Sequence, residues 1–239
     1  MKLGVKTFSD KNFLKLFEKD ADFFELMAIE TQNYDFVKEF SKPWVIHSQH
    51  ERFGFNNADK HNRENNLRSI RFAINLANRC KSDKIIVHPG INFNSDCSEE
   101  EFISLIKYLN DKRLLVENLP INGFDKNCFG ATPEDINQII KKTGVGFCLD
   151  INHAIETALV LKKDYITLLK DFIKLKPAHY HLGGQKLSGM KTHLSFNDSE
   201  LNLKEILDLL PEDANITLEV TTDKNKTAED ISIIKKFIS

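Results

Sequence analysis

The chain has 239 residues, enough to bury one large core. Its 33 basic and 35 acidic side chains leave a formal charge of -2, which excludes a global electrostatic drive toward nucleic acid or an anionic membrane but not a local basic patch. Cys80, Cys97, Cys128 and Cys148 follow no zinc-knuckle spacing, MKLGVKTFSD lacks the pattern of a signal peptide, and no run approaches the ~18 apolar residues of a membrane span, so a reduced, cytoplasmic protein without membrane contact or obligate protein partner is expected.

In chain order, β-branched and aliphatic runs alternate with amphipathic stretches, the pattern of parallel βαβ units. A strand over residues 2–8 leads to a helix capped by Ser9 or Asp10 and running to about residue 19; a second strand, 23–29, carries Glu25 and precedes a short helix at 34–41. Pro43 ends that helix, and a strand at 44–47 is followed by the polar loop HSQHERFGFNNADKHN and a helix over 63–79. The strand at 84–88 closes on Pro89 and Gly90, and Ser98 with Glu101 forms a capping box for the next helix. After a strand at 114–118, Thr132 caps a helix with Pro133 in its first position. The stretch GFCLDINHA, 146–154, turns from strand to helix, and helical sequence continues to about residue 176, where Pro177 stops it. A strand at 178–182, the loop GGQKLSGMKTHLSFND, a helix at 202–210, a strand at 216–220 and a helix at 227–238 complete the chain. Eight strands and about as many helices, at roughly 30 residues per unit, predict one (β/α)8 barrel domain over residues 1–239. The alternative, an open doubly wound sheet, lacks a GxGxxG or P-loop signature.

Six of the strands end in a residue that ligates metals: His47, His88, Glu117, Asp150, His181 and Glu219. Alternation places Val45, Ile86, Leu115, His179 and Thr217 on the same face as the ligand-type residue that ends each of those strands, and puts large apolar residues on the other face. In a closed parallel barrel these ends share one rim, so the six side chains are expected to converge. Asp150 reads equally well as a helix cap, and His153 follows it by three residues. Imidazoles and carboxylates without cysteine suit zinc, with manganese tolerated, and leave coordination positions open for water and substrate. His179 reads as a core histidine, Lys6 and Glu25 as a buried ion pair with Glu25 also within reach of a substrate, His50 and His61 as solvated loop residues, and Trp44 as core. Asn118 and Asn152 flank ligands, where an amide serves a ligand as hydrogen-bond partner or, for Asn118, touches the substrate.

The order of the segments VHPG (87–90), VEN (116–118), GFCLDINHA, HLGG (181–184), THLSFND (192–198) and LEVT (218–221) resembles the xylose-isomerase-like superfamily of barrels and, within it, the endonuclease IV family. The similarity covers the third to eighth strands, and its most specific parts are the sixth-strand and His-Pro-Gly segments. The resemblance implies one to three zinc ions. His47 and His88 hold one, Glu117 bridges to a second that Asp150, His181 and Glu219 also hold, and His153 and His193 hold a third. The family has an aspartate two residues before the position of His193, where this chain has Lys191. A cation does not ligate a cation, so the third site is expected to be weak, differently occupied or absent.

The resemblance implies two reactions. In one, a metal-bound hydroxide attacks a phosphodiester, as endonuclease IV does at abasic sites in DNA. In the other, one ion on Glu117, Asp150, His181 and Glu219 binds adjacent oxygens of a sugar or sugar phosphate, Glu117 and Glu219 move protons through an enediolate, and Lys191 contacts the substrate. A barrel that binds metal without turnover is a third reading. The basic and aromatic loop residues that nucleic acid would need are modest in number: Arg52, Phe53, Phe55, Lys60 and Arg63 after the third strand, Lys186 and Lys191 after the seventh. The hydrolytic reading is the expectation, because it alone uses His47, His88 and the run around His193.

Overall fold

The structure, a computed structural model, describes residues 1–123, 126–188, 191–220 and 223–238. Thr221 of the LEVT segment and Gly189 and Met190 of the loop after the seventh strand lie outside the described residues. Strands β1 (Lys2–Thr7), β2 (Phe23–Ala28), β3 (Trp44–Ser48), β4 (Ile85–Val87), β5 (Leu114–Glu117), β6 (Gly146–Asp150), β7 (His179–Leu182) and β8 (Asn215–Leu218) form a closed barrel. Each pairs in parallel with the next, and β8 closes on β1 through Leu3 opposite Ile216 and Val5 opposite Leu218. The expected (β/α)8 barrel is therefore the fold.

Alternation along the strands divides the apolar residues into two populations. Leu3, Leu26, Ile46, Val87, Val116, Phe147 and Leu149 face outward into the core shared with the helices. Phe23, Val45, Ile86, Leu115 and Cys148 form a separate buried cluster inside the barrel, below the polar rim. Gly4 leaves the space that the Phe23 ring fills, so the floor of the barrel is plugged by an aromatic side chain. Burial also pushes the Cys148 thiol up to about 12, as expected of an inert small filler.

The outer layer is α1 (Lys11–Phe17), α2 (Arg63–Cys80), α3 (Glu99–Leu109), α4 (Pro133–Thr143), α5 (Ile151–Val160), α6 (Tyr165–Ile173), α7 (Leu203–Leu207) and α8 (Lys224–Ile238). Most begin on a side-chain cap: Asp10 accepts from Phe13 N at 3.0 Å and Asp164 from Thr167 N at 2.7 Å. Thr132 and Asp135 form a full capping box with Pro133 behind the cap. At Ser98 only half of the expected box is made. Ser98 Oγ accepts from Glu101 N at 3.1 Å, but Ser98 N donates to Ala58 O and the Glu101 carboxylate pairs with Arg63.

Two expectations change shape. The helix placed at 34–41 is a single 3₁₀ turn, Asp35–Glu39, and the polar stretch after β7 is a two-stranded ribbon, Gly184–Lys186 against Lys191–Leu194. No helix of the described residues is long and apolar enough to cross a membrane.

Candidate metal centre

The rim is organised around the Glu117 carboxylate, which is buried at the end of β5. Its Oε2 lies 3.1 Å from His47 Nε2, 3.5 Å from His88 Nε2 and 3.5 Å from His181 Nδ1. Its Oε1 lies 3.5 Å from His153 Nδ1. On the other side His181 Nδ1 is 2.8 Å from Glu219 Oε2 and 3.9 Å from Asp150 Oδ2. The donor atoms of His47, His88 and Glu117 all lie within 4.8 Å of one another, and so do those of Asp150, His153 and His193. The six strand-end residues and both additional histidines thus meet in one place, although His88 and Glu219 sit one residue beyond their strands.

Local backbone chemistry explains the placement. Asp150 ends β6 and caps α5, its Oδ1 accepting from His153 N at 2.8 Å, so the cap reading holds while Oδ2 faces the cluster. Asn118 ties β5 to β6: its amide donates to Asp150 O at 2.9 Å and accepts from Asp150 N at 2.7 Å. His193 adopts a left-handed backbone (φ 53°) on the ribbon, which lies against the end of β8. Gly183 permits this contact, since a Cβ there would stand 2.5 Å from Glu219 O and 3.1 Å from His193 Cα.

The electrostatics are those of a crowded, desolvated set. Burial alone would raise the Glu117 and Glu219 carboxyls, but His181 and His88 beside Glu117, and Lys6 and His181 beside Glu219, hold both well below the ordinary value. Burial pushes the Asp150 carboxyl up to about 7. Burial lowers His47, His153 and His193, which keeps them neutral with a lone pair to offer. Burial would also lower His88, but Glu117 and Glu51 raise it to about 10.

Whether a divalent cation suits these residues can be tested on the atoms themselves. Asp150 Oδ2, His181 Nδ1 and Glu219 Oε2 are buried and make no hydrogen bond among the described residues, and the 2.8 Å approach of the last two lacks hydrogen-bond alignment. Nitrogen and oxygen donors left in this way fit a zinc-type ion.

Several side chains outside the expected ligand set belong to the site. Lys6 reaches in from β1, 2.9 Å from Glu219 Oε1 and 3.2 Å from Glu25 Oε1. Burial would lower its pKa, but Glu219, Glu25 and Glu117 raise it and keep the ammonium charged. Glu51, which carries no sequence signal, lies 2.9 Å from His88 Nδ1. His50, expected in solvent, is instead stacked on His88 with ring centroids 4.4 Å apart, because the chain turns back over the rim after β3. His61 is exposed and pairs with Asp96. His179, one layer down, lies within hydrogen-bond distance of Thr217 Oγ1 at 2.8 Å. Asn118, expected to touch substrate, is fully buried with its amide committed to Asp150. Lys191 is exposed, and Thr192 and His193 line the cavity from that strand.

The cluster opens into a cavity of about 610 Å³ walled by Phe8, Phe53, Ile91 and Leu119, with Arg52 and Glu156 at its edge. A second groove of about 670 Å³ between α1 and α8 shares none of its lining residues.

A closed parallel barrel with its polar side chains gathered at the C-terminal rim is the architecture of a (β/α)8 barrel enzyme. The chain belongs to the xylose isomerase-like TIM barrel family, whose sequence profile matches residues 17–237. An uncharacterized protein of Methanocaldococcus jannaschii, MJ1188, is 26% identical over 212 residues, covering 82% of this chain and 74% of that one. Among solved structures, a D-tagatose 3-epimerase-like protein superposes with a TM-score of 0.78 at 21% identity, covering 100% of this chain and 97% of its own. Endonuclease IV from Thermus thermophilus gives a TM-score of 0.76 at 16% identity, covering 100% and 99%. At these identities the two structures speak for the fold alone.

Proposed function

We propose that this barrel is a divalent-metal-dependent hydrolase that cleaves a phosphodiester at the rim. The observation that carries the reading is the direction of His47 and His88, both turned onto the same oxygen of Glu117. A single-ion site on Glu117, Asp150, His181 and Glu219 has no use for either histidine. His47, His88 and Glu117 would hold one ion, and Glu117 with Asp150, His181 and Glu219 a second. Asp150, His153 and His193 offer a third set, in which Asp150 supplies the carboxylate that Lys191 does not. Bound there, zinc or manganese would supply Lewis-acid polarisation of a phosphoryl oxygen at neutral pH.

The chain's own groups do the remaining work. Lys6 holds Glu219 ionised and fixes one of its oxygens, so that the other is aimed at His181. Arg52, which makes no ion pair among the described residues, is placed at the cavity edge to meet an anionic group. Phe8 and Phe53, with ring centroids 6.1 Å apart, give the mouth an apolar wall for a sugar or base.

A second reading, epimerisation or isomerisation of a small sugar or sugar phosphate, is favoured by the sparse free charge around the mouth. Lys60, Arg63, Lys186 and Lys226 are paired with Asp96, Glu101, Glu200 and Asp198, which weakens a track for a long polyanion. Incision of a duplex containing one abasic site by zinc- or manganese-loaded protein, with Glu117→Gln as control, separates the two. Cutting that the variant loses supports hydrolysis. No cutting with either metal, together with exchange of a sugar C–H for solvent deuterium, overturns it in favour of the second reading.

A further inference from the structure

Each rim imidazole has two ring nitrogens, and only one can face the centre of the cluster. His88 Nδ1 lies 2.9 Å from Glu51 Oε2, while its Nε2 is 3.5 Å from Glu117 Oε2. His181 is turned the opposite way. Its Nε2 lies 3.0 Å from Glu25 Oε2 and its Nδ1 3.5 Å from the same Glu117 oxygen. His47 and His193 are held differently, each through Nδ1 at a backbone carbonyl oxygen, Ser48 at 2.8 Å and Glu219 at 3.2 Å, and His153 Nδ1 lies between the Asn118 carbonyl oxygen at 2.9 Å and Glu117 Oε1 at 3.5 Å.

Glu25 and Glu51 come from the middle of β2 and from the turn after β3, and their side chains are 0% and 3% exposed. Glu25 is itself fixed from two other strands: Thr217 Oγ1 on β8 donates to its Oε2 at 2.7 Å, and Lys6 Nζ on the adjacent β1 is 3.2 Å from its Oε1. Glu51 has one oxygen on His88, and its other oxygen is buried without a hydrogen bond among the described residues. A buried carboxylate at the far nitrogen of a ligand imidazole fixes the ring's tautomer and orientation and makes the near nitrogen a stronger donor. A neutral carbonyl in the same place fixes the ring but strengthens it less.

We infer that Glu51 and Glu25 are positioning residues that set His88 and His181 with opposite nitrogens toward Glu117 and make those two imidazoles the strongest donors of the five. The inference rests on the metal reading of the rim. It implies that ions held through His88 or His181 bind more tightly than one held through His153 and His193, so the cluster fills in a fixed order.

The test uses the full chain with isotope-labelled histidine, as wild type, Glu51→Gln and Glu25→Gln. Metal-free wild type is expected to give strongly downfield N–H protons at His88 Nδ1 and His181 Nε2. Glu51→Gln moves the first upfield and leaves the second; Glu25→Gln does the reverse. In competition with a zinc-binding dye, each variant loses ~10- to 100-fold in affinity for the tighter ions, with the weakest ion unaffected. Glu51 lies in a loop turn, so its variant decides the matter where Glu25→Gln fails to fold. A folded Glu51→Gln protein with an unmoved His88 proton and unchanged zinc affinity overturns the assignment. Wild type that binds no zinc refutes the metal reading instead, and the two proton resonances then decide the positioning role alone.

Discussion

Asp150 and His153 share one hydrogen bond with two consequences: Asp150 Oδ1 accepts the His153 N–H at 2.8 Å and caps α5, while Asp150 Oδ2 remains buried at the cluster with no hydrogen bond among the described residues. One carboxylate therefore starts a helix with one oxygen and offers the other to a cation. Asparagine caps as well as aspartate but carries no charge, so Asp150→Asn separates the two roles. The variant is expected to fold and to keep helix α5, yet to lose part of the rise in thermal midpoint that excess zinc gives wild type, the part that does not come from the ion on His47, His88 and Glu117. Calorimetric scans with and without zinc check this.

The same residue predicts a pH dependence in the metal-free protein. Burial raises its carboxyl from 3.8 to about 7 on folding. Between those values the folded state keeps a proton that the unfolded chain has released, so the Asp150 contribution to stability falls as pH rises from about 4 to about 7. Asp150→Asn removes that decline. In urea titrations with a chelator present, the variant should gain on wild type as pH rises through this window and show no advantage near pH 4.

Lys6 stands between Glu25 and Glu219, and its removal leaves Glu25 buried with less compensation. Lys6→Met is expected to cost about 3–5 kcal/mol, the usual scale for breaking a buried pair from one side. The double variant Lys6→Met with Glu25→Gln should cost less than the sum of the single changes, because the orphaned charge is gone. Urea unfolding of the four proteins measures the coupling.

Gly183 is the point where the ribbon and β8 touch. Alanine there drives a methyl group against Glu219 O and the His193 backbone. Gly183→Ala is expected to destabilise by about 1–3 kcal/mol and to weaken zinc binding through displaced Glu219 and His193. Zinc titration of the variant reads the second effect separately from the first.

The ligand-type strand ends are legible because a period of two, applied to short apolar runs, fixes which residues face inward and all parallel strands finish together. The partners of those residues are not. Glu25 meets His181 across 156 positions and Glu51 meets His88 across 37, contacts that no local periodicity encodes. His50 reads as solvated for the same reason: its loop is polar, but the chain folds it back onto His88. The ribbon after β7 is hidden because GGQKLSG has the composition of a loop, and the capping box at Ser98 stays half made because Arg63, from another helix, claims Glu101.

The most direct test of the account is anomalous scattering at the zinc edge from crystals grown with zinc. Peaks about 2.0–2.2 Å from donor atoms of His47, His88 and Glu117, and from those of Asp150, His181 and Glu219, are the predicted result. A well-ordered rim with no anomalous peak among these residues would contradict it.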